Sequence, residues 1–409
     1  MNKAMQGRID ALMKERNVDV LLLTGNSDEH PGFWYLCGGH KFEAAMLVWK
    51  RGGKKLLIVG DMERDGAKES GLDWIPRSKT PASKLAQSKN PKVALLSWLL
   101  RKVRAKGRVA LYGATGLEDT AWLGTLKREL KKQGCVLVSE SVPLLREARR
   151  VKSEEEVEKI REAGVGTREA FDSLQRAISR CHAHRRTLYT ARGEALTIGD
   201  LKQEVNLALA RRGLVNIYGS IVAQGEEGGV PHNSGTNSRK VKTGLPIVCD
   251  IFPKDPRSGY YFDMSRTFVP GKASAAQKKA YEDVRQAAVL GFEAWEPGIS
   301  FRLLHRRVQN FLEEKGYETL HSHPGTQVGF CHGLGHGLGL EVHEDPFIRG
   351  DEPLVSGEVI TIEPGVYYPE RKLGIRIEDV ALVTDAGLEN LTNYPTRLEV
   401  PLRGKARSK

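Results

Sequence analysis

The chain has 409 residues, enough for two or three domains, and its 40% hydrophobic and 28% charged residues are those of an ordinary globular protein. No run reaches the roughly eighteen apolar residues of a membrane-spanning helix, so no membrane partner is expected. The formal net charge is +12, and the five cysteines (Cys37, Cys135, Cys181, Cys249, Cys331) form no CxxC pair, which suits a reducing, cytoplasmic setting.

The opening segment MNKAMQGRIDALMKERN lacks the apolar core of a secretion signal and reads as an amphipathic helix. Up to residue 150 the β-rich runs NVDVLLLTG, AAMLVWK, KKLLIVG, RVALYG and CVLVSE alternate with the helical patterns IDALMKER, ALLSWLLRKVR and LEDTAWLGTLKREL. This predicts an α/β domain over residues 1–150. It carries 28 Lys and Arg against 16 Asp and Glu, whereas the rest of the chain has 35 of each, so the whole basic excess lies here. The bases are spread along the stretch without a nucleic-acid-binding signature, so a solvated surface is the reading and nucleic acid is not an expected partner.

A second domain is expected over residues 151–402. Ser153 and Glu156 form a capping box that opens the long helix KSEEEVEKIREAGVGTREAFDSLQRAI, with acids in its first turn to suit the dipole. SRCHAHRRTLYTARGEA reads as a polar loop, with His182 and His184 at the surface. TIGDLKQEVNLALARRG is an amphipathic helix stopped by Gly213. Ser274 and Gln277 repeat the capping logic before KKAYEDVRQAAVLGFEAW, and FRLLHRRVQNFLEEKG ends at Gly316. Residues 403–409, RGKARSK, are expected to be a disordered basic tail.

Between these helices, acids punctuate apolar β-type runs. Asp250 ends LPIVCD and Asp263 sits in YYFDMSRTFV, so the two strands could pair antiparallel with both carboxylates on one side. Glu363 closes EVITIE, where Pro364 and Gly365 end the strand. Glu378 lies in GIRIEDVALV, where a period of two puts Arg376, Glu378 and Val380 on one face. The run Phe330–Glu344, FCHGLGHGLGLEVHE, places three histidines and two carboxylates among glycines that let the backbone come close to a ligand. His332 and His336 are four apart, but the glycines argue against a zinc-binding helix and for a strand and turn. Carboxylates within apolar strands are costly to bury unless paired or bound to metal. Cys249 and Cys331 flank this region and read as small buried hydrophobes.

The order Asp250, Asp263, His336, Glu363, Glu378, in the contexts FDMSRTF, GHGLGLEVHE, IEPGVYY and IRIEDV, resembles the pita-bread metallopeptidases: aminopeptidase P, prolidase, methionine aminopeptidase and the related creatinase. The resemblance covers roughly residues 150–400. It implies an α+β catalytic domain in which helices back a curved antiparallel sheet, behind an α/β N-terminal domain of the creatinase kind. It also implies two divalent metal ions: Asp250 would chelate one, His336 and Glu363 the other, and Asp263 and Glu378 would bridge them. An oxygen-rich set with one imidazole suits Mn first, with Co, Fe or Zn as alternatives. Such a pair lowers the pKa of a water and polarises the scissile carbonyl. By the same resemblance His232, His332 and His343 hydrogen-bond the substrate, the tetrahedral intermediate and the leaving group, Glu363 takes part in proton transfer, and Arg376 orients a bridging carboxylate.

Two features depart from the pattern, the lack of the usual glycine two residues after Asp250 and the length of the hairpin to Asp263. The text between the first two acids is DIFPKDPRSGYYFD, a longer hairpin that reshapes the rim without removing a ligand. The expected function is hydrolysis of the bond before proline at the N-terminus of a peptide, by an Xaa-Pro aminopeptidase or dipeptidase acting on substrates with proline second, and the expected assembly is a homodimer. Two other readings stay open: a metal-dependent lyase or hydrolase of a small non-peptide substrate, and a non-catalytic binding protein that uses the basic N-terminal domain.

Overall fold

The apolar run Val20–Gly25, too hydrophobic to face water on either side, becomes an interior strand of a six-stranded sheet. A computed structural model describes residues 3–113 and 117–403, so positions 404–409 of the expected tail lie outside the described residues. The chain divides into two compact units, Met1–Arg149 and Arg150–Lys409.

In the first unit β1 (Val20–Gly25), β2 (Ala45–Lys50), β3 (Lys55–Val59), β4 (Asp73–Pro76), β5 (Gly107–Tyr112) and β6 (Cys135–Val138) lie in the order β4-β3-β2-β1-β5-β6. β1, β5 and β6 are parallel neighbours, as are β3 and β4, and β2 runs antiparallel between β1 and β3. The longer helices are α1 (Lys3–Glu15), α2 (Pro91–Lys102) and α3 (Leu117–Lys132). Leu96, Leu99 and Leu100 of α2 and Leu126 and Leu130 of α3 bury against Val20, Leu22, Val48 and Val109 of the sheet. Strand β4 is an addition to the sequence reading: its four residues, DWIP, are too few to show a period.

The second unit has four long helices, α4 (Glu154–Ser179), α5 (Ile198–Arg211), α6 (Ala275–Glu293) and α7 (Phe301–Glu314). The boxes at Ser153/Glu156 and Ser274/Gln277 are formed, and Thr197 with Asp200 makes a third at the start of α5. Gly213 and Gly316 follow α5 and α7 with φ of +72° and +89°, the left-handed turn that a side chain would strain.

The segment read as a loop after α4 is instead a hairpin, β7 (His182–His184) with β8 (Thr187–Tyr189), turned by Arg185 and Arg186 at positive φ. Without Gly or Asn at that turn, local chemistry gave no hairpin signal. His182 and His184 both lie against the Tyr189 ring.

Two sheets then build the rest of the second unit. One contains β9 (Ile221–Gln224), β10 (Ile247–Ile251), β11 (Met264–Pro270) and β19 (Glu399–Val400), in the order β19-β11-β10-β9. The other contains β12 (His336–Gly337), β13 (Glu344–Phe347), β14 (Val359–Ile362), β17 (Asp379–Thr384) and β18 (Gly387–Asn390), in the order β13-β12-β14-β17-β18. A two-stranded ribbon of β15 (Gly365–Tyr368) and β16 (Leu373–Arg376) accompanies them. Two expectations change here. GIRIEDVALV is two strands in different sheets, with Ile377 and Glu378 between them, and Gly365 begins β15 where it was expected only to end β14.

The sheets meet at a backbone bridge between Ser265 and Glu378. Arg266, fully buried, staples this seam: its guanidinium donates to the carbonyls of Ser265 and Glu378 at 2.9 and 2.8 Å and pairs with Asp379 at 2.6 Å. Helices α6 and α7 back the core, with Val284, Ala287, Leu304 and Val308 buried in one cluster with Ile360, Ile362, Ile375 and Ile377. The long excursion between β10 and β11 folds on itself, because buried Asp255 accepts from the Arg257 amide and guanidinium, at 3.0 Å each, and from Ser258. No helix among the described residues is long and apolar enough to cross a membrane.

Gly164 lets α4 lie against the buried Phe262 ring, where a Cβ would fall 2.6 Å from a ring carbon. Gly164→Val is therefore expected to destabilise the protein by about 1–3 kcal/mol through overpacking, read as a lowered thermal midpoint.

Candidate metal centre

Of the glycine-rich run Phe330–Glu344, only His336, Gly337 and Glu344 are strand residues, Phe330 makes a single bridge to Thr319, and the rest is bend or irregular. The glycines have a steric reason. A Cβ at Gly335 would overlap the Thr361 carbonyl oxygen, and one at Gly339 would overlap the Glu344 carboxylate. Gly337 pairs with Ile360 of β14, which brings His336 beside Glu363 just past that strand.

The seam gathers the predicted ligands. Asp250 lies in β10, Asp263 immediately precedes β11, and Glu378 sits in the bridge itself. Asp263, His336 and Glu378 present ligand atoms that all lie within 4.8 Å of one another. His336 Nε2 is 3.4 Å from Glu363 Oε1 and 3.8 Å from Asp263 Oδ2. Asp263, His336 and Glu378 are 4%, 8% and 1% exposed, so this charge sits where water hardly screens it.

The electrostatics follow from that. Burial, then the negative charges of Asp250 and Glu363, push the Asp263 carboxyl well above the carboxylate range. Burial and the Asp263 charge do the same to Glu378. Glu363 rises to about 8 through burial, with Arg376 opposing. Burial, then the neighbouring His343, holds His336 down to about 3, a neutral imidazole. The buried oxygens Asp250 Oδ1 and Asp263 Oδ1 have no hydrogen-bond partner in the protein. Crowded acids, a neutral imidazole and orphaned buried oxygens together fit a divalent cation, which removes the penalty on each of them.

Arg376, 3% exposed, organises the other side. Its Nη2 donates to Asp250 Oδ2 at 2.6 Å, its Nε to Ser265 Oγ at 2.8 Å, and its Nη1 to the Tyr367 hydroxyl at 3.0 Å and the Pro231 carbonyl at 3.3 Å. The carboxylate it holds by a hydrogen bond is thus Asp250, where a bridging carboxylate was expected, because β16 runs beside β10 and β11.

Tyr367 was not singled out from sequence, yet it links this group to His332. His332 Nδ1 lies 2.7 Å from the Gly333 carbonyl, which can only accept, so the proton is on Nδ1. Nε2 then accepts from the Tyr367 hydroxyl at 3.0 Å. Burial holds His332 down to about 3 and keeps it neutral. Both its ring nitrogens thus have protein partners. His232 and His343 are the exposed histidines of the set. The His343 ring centroid is 4.2 Å from that of His336, and burial together with the neighbouring His232 holds its imidazole below the ordinary range.

Thr361 and Lys152 also escaped sequence reading, and Glu344 was read only as one of the two acids of the glycine-rich run. Thr361 Oγ1 accepts from the His336 amide at 3.1 Å and donates to Glu363 Oε1 at 3.4 Å. Lys152 and Glu344, 1% and 2% exposed at their side chains, form an ion pair at 2.8 Å. Lys152 also donates to the Arg150 carbonyl, and Glu344 accepts from the Glu341 amide, so the pair ties the histidine loop to the start of α4. The available signal was Lys152 itself, a charge just before a helix cap in a segment with no need for one. Cys249 is buried and Cys331 only partly so.

Residues 158–385 match the metallopeptidase family M24. The chain belongs to this family. It is 28% identical to the Xaa-Pro dipeptidase of Pyrococcus horikoshii over 97% of this chain and 99% of that one. It is 33% identical to a protein of Mycobacterium tuberculosis named probable dipeptidase PepE, over 63% of this chain and 62% of the other, so it spans less than two thirds of that relative. The structure of an Xaa-Pro dipeptidase from Bacillus anthracis superimposes with a TM-score of 0.76 at 21% identity, covering 97% of this chain and 99% of that one. These matches establish the pita-bread fold.

Two outcomes follow. Glu344→Gln should cost about 3–5 kcal/mol by leaving the Lys152 ammonium buried without its counter-charge, read by thermal or denaturant unfolding. In metal-free protein the folded-state pKa of Glu363, about 8, lies above its unfolded value of about 4.3. Stability is then full below the unfolded value and falls as pH rises towards the folded one, because the native state holds the extra proton. The melting temperature of chelator-treated protein should drop between about pH 5.5 and 8, and saturating divalent metal should oppose the drop.

Proposed function

We propose that the chain hydrolyses the peptide bond preceding proline in short peptides, as an Xaa-Pro dipeptidase or aminopeptidase. The observation that carries this reading is the convergence of Asp250, Asp263, His336, Glu363 and Glu378 at one seam, in a chain similar nearly end to end to an Xaa-Pro dipeptidase. On the same reading residues 1–150 are the creatinase-like N-terminal domain and 151–402 the catalytic domain, and the working form is a cytoplasmic homodimer.

Those five residues would hold two divalent cations, Mn best matching one imidazole among carboxylates, and the cations would lower the pKa of the attacking water and polarise the scissile carbonyl. Asp250, held by Arg376, keeps one fixed orientation. Glu363 accepts from Thr361 at Oε1, which leaves Oε2 to take a proton and pass it to the proline nitrogen as that bond breaks. His232 and His343, exposed at the mouth, hydrogen-bond the oxygen that becomes negative at the tetrahedral carbon. His332 and Tyr367 act through Arg376 and hold the wall of the site.

The test pairs metal analysis with hydrolysis of an Xaa-Pro dipeptide and an Xaa-Pro-Xaa tripeptide after Mn or Co addition. Cleavage of the dipeptide alone makes it a prolidase, and of the tripeptide alone an aminopeptidase P. Full metal loading with neither peptide cut would overturn the substrate and favour lyase chemistry. His336→Ala should lose bound metal and activity together, whereas His343→Ala should lower kcat by about 10²–10⁴-fold with metal retained.

A further inference from the structure

The basic excess of the first unit looks scattered along the chain, but the fold collects it. β1, β5 and β6 begin at the same edge of the sheet at which β2 ends and β3 and β4 begin, as the pairs Val20 with Lys50, Trp49 with Lys55 and Gly107 with Cys135 show. Helices α1, α2 and α3 also end at this edge, each leading by a short turn into β1, β5 and β6. The exposed bases there are Lys14, Lys54, Arg101, Lys102, Arg104, Lys106, Arg108, Lys127, Arg128, Lys131 and Lys132. Hydrogen bonds from Lys50 to the Arg104 carbonyl, from Arg51 to the Met13 carbonyl and from Arg108 to the Asn17 carbonyl confirm that these segments are neighbours.

Most acids sort the other way. Asp28, Glu29, Glu43, Asp61, Glu63, Asp65 and Glu140 follow or precede the opposite strand ends, and the basic edge has Asp10, which accepts from Trp49, with Glu15, Asp19, Asp73 and Glu129. Among the described residues, Lys132 with Glu129 is the one ion pair that the eleven bases make. Compensation of helix dipoles accounts for Lys14, Arg101, Lys102, Lys131 and Lys132, which lie in last turns. It leaves Lys54, Arg104, Lys106, Arg108, Lys127 and Arg128 unexplained.

We propose that this edge of the N-terminal unit is a docking face for the phosphate backbone of a nucleic-acid duplex, read without sequence preference. Protein interface cores are depleted of lysine and built on aromatic anchors, and interfacial membrane binders carry an apolar face. Here Val136 is the large apolar side chain exposed beside the bases. Six strands at about 4.8 Å spacing make the edge about 24 Å wide, along which a duplex presents about 14 phosphates.

The experiment uses the full-length, metal-loaded protein and fluorescence anisotropy with labelled 24-base-pair DNA and RNA duplexes at several salt concentrations. Log affinity should fall linearly with log salt for both. The triple variant Lys106→Gln, Lys127→Gln, Lys131→Gln should bind at least tenfold more weakly, with a salt slope shallower by about 2.7 and unchanged peptidase activity and melting temperature. Lys79→Gln, Lys84→Gln, Lys89→Gln removes the same charge from exposed positions beyond the other strand ends and should bind within twofold of the parent. Equal losses in the two variants would overturn the face by reducing the effect to net charge, as would no salt-dependent binding. Tighter binding to polyglutamate or to phosphatidylserine vesicles than to either duplex would overturn the choice of partner.

Discussion

Four carboxylates crowd one neutral imidazole where two sheets join, and this concentration of buried negative charge is the constraint that the catalytic unit is built to withstand. Water relieves it little, because Asp263, His336 and Glu378 are almost fully covered and Asp250 and Glu363 largely so. One protein cation, Arg376, meets it directly and satisfies Asp250 alone by hydrogen bonds. The remaining charge asks for cations from outside, and the unpartnered oxygens of Asp250 and Asp263 point to the same need. The fold must therefore hold acids apart from their preferred solvent at little cost elsewhere. It does so by setting Asp263 directly before β11 and Glu378 in a seam stapled by Arg266, so that the Glu378 backbone is held by Ser265 and Arg266 whichever way its side chain is pulled.

Around that centre the support is polar and continuous. Gly333, His332, Tyr367, Arg376 and Asp250 form one chain of hydrogen bonds, and each member's donor and acceptor roles follow from its neighbour's. The carbonyl sets the imidazole tautomer, the tautomer sets the direction of the tyrosine hydroxyl, and the hydroxyl accepts from the guanidinium. Such a chain has few alternative arrangements, which is a form of rigidity that packing alone does not supply. On the far side Lys152 and Glu344 perform the same service for the histidine loop with opposite charges instead of dipoles.

How much of this could be read from the residues follows from the range of each interaction. Helix starts at Ser153 and Ser274 were legible because a cap and its partner are three residues apart. The acids were legible because each breaks an apolar strand pattern, and the order of five such breaks pointed to the family. Tyr367 was not, because its partners His332 and Arg376 are distant or on another strand, and a tyrosine in a hydrophobic run looks like core. The split of GIRIEDVALV between two sheets was also hidden, since both halves keep the same alternation. The gathering of bases at one edge of the first unit was hidden for a related reason: it is a property of strand direction and helix ends, and residues 14, 54, 106 and 131 share no sequence window.

The excursion between Asp250 and Asp263 has a bearing on how such a protein can diversify. Register across its base is set by Ile251 opposite Met264, and its tip is closed by Asp255 on its own neighbours. Length added or removed between those points need not be transmitted to either acid. The rim of the cleft can therefore drift while the chemistry beneath it stays still, so lineages sharing one metal centre can part company in diet before they part company in reaction.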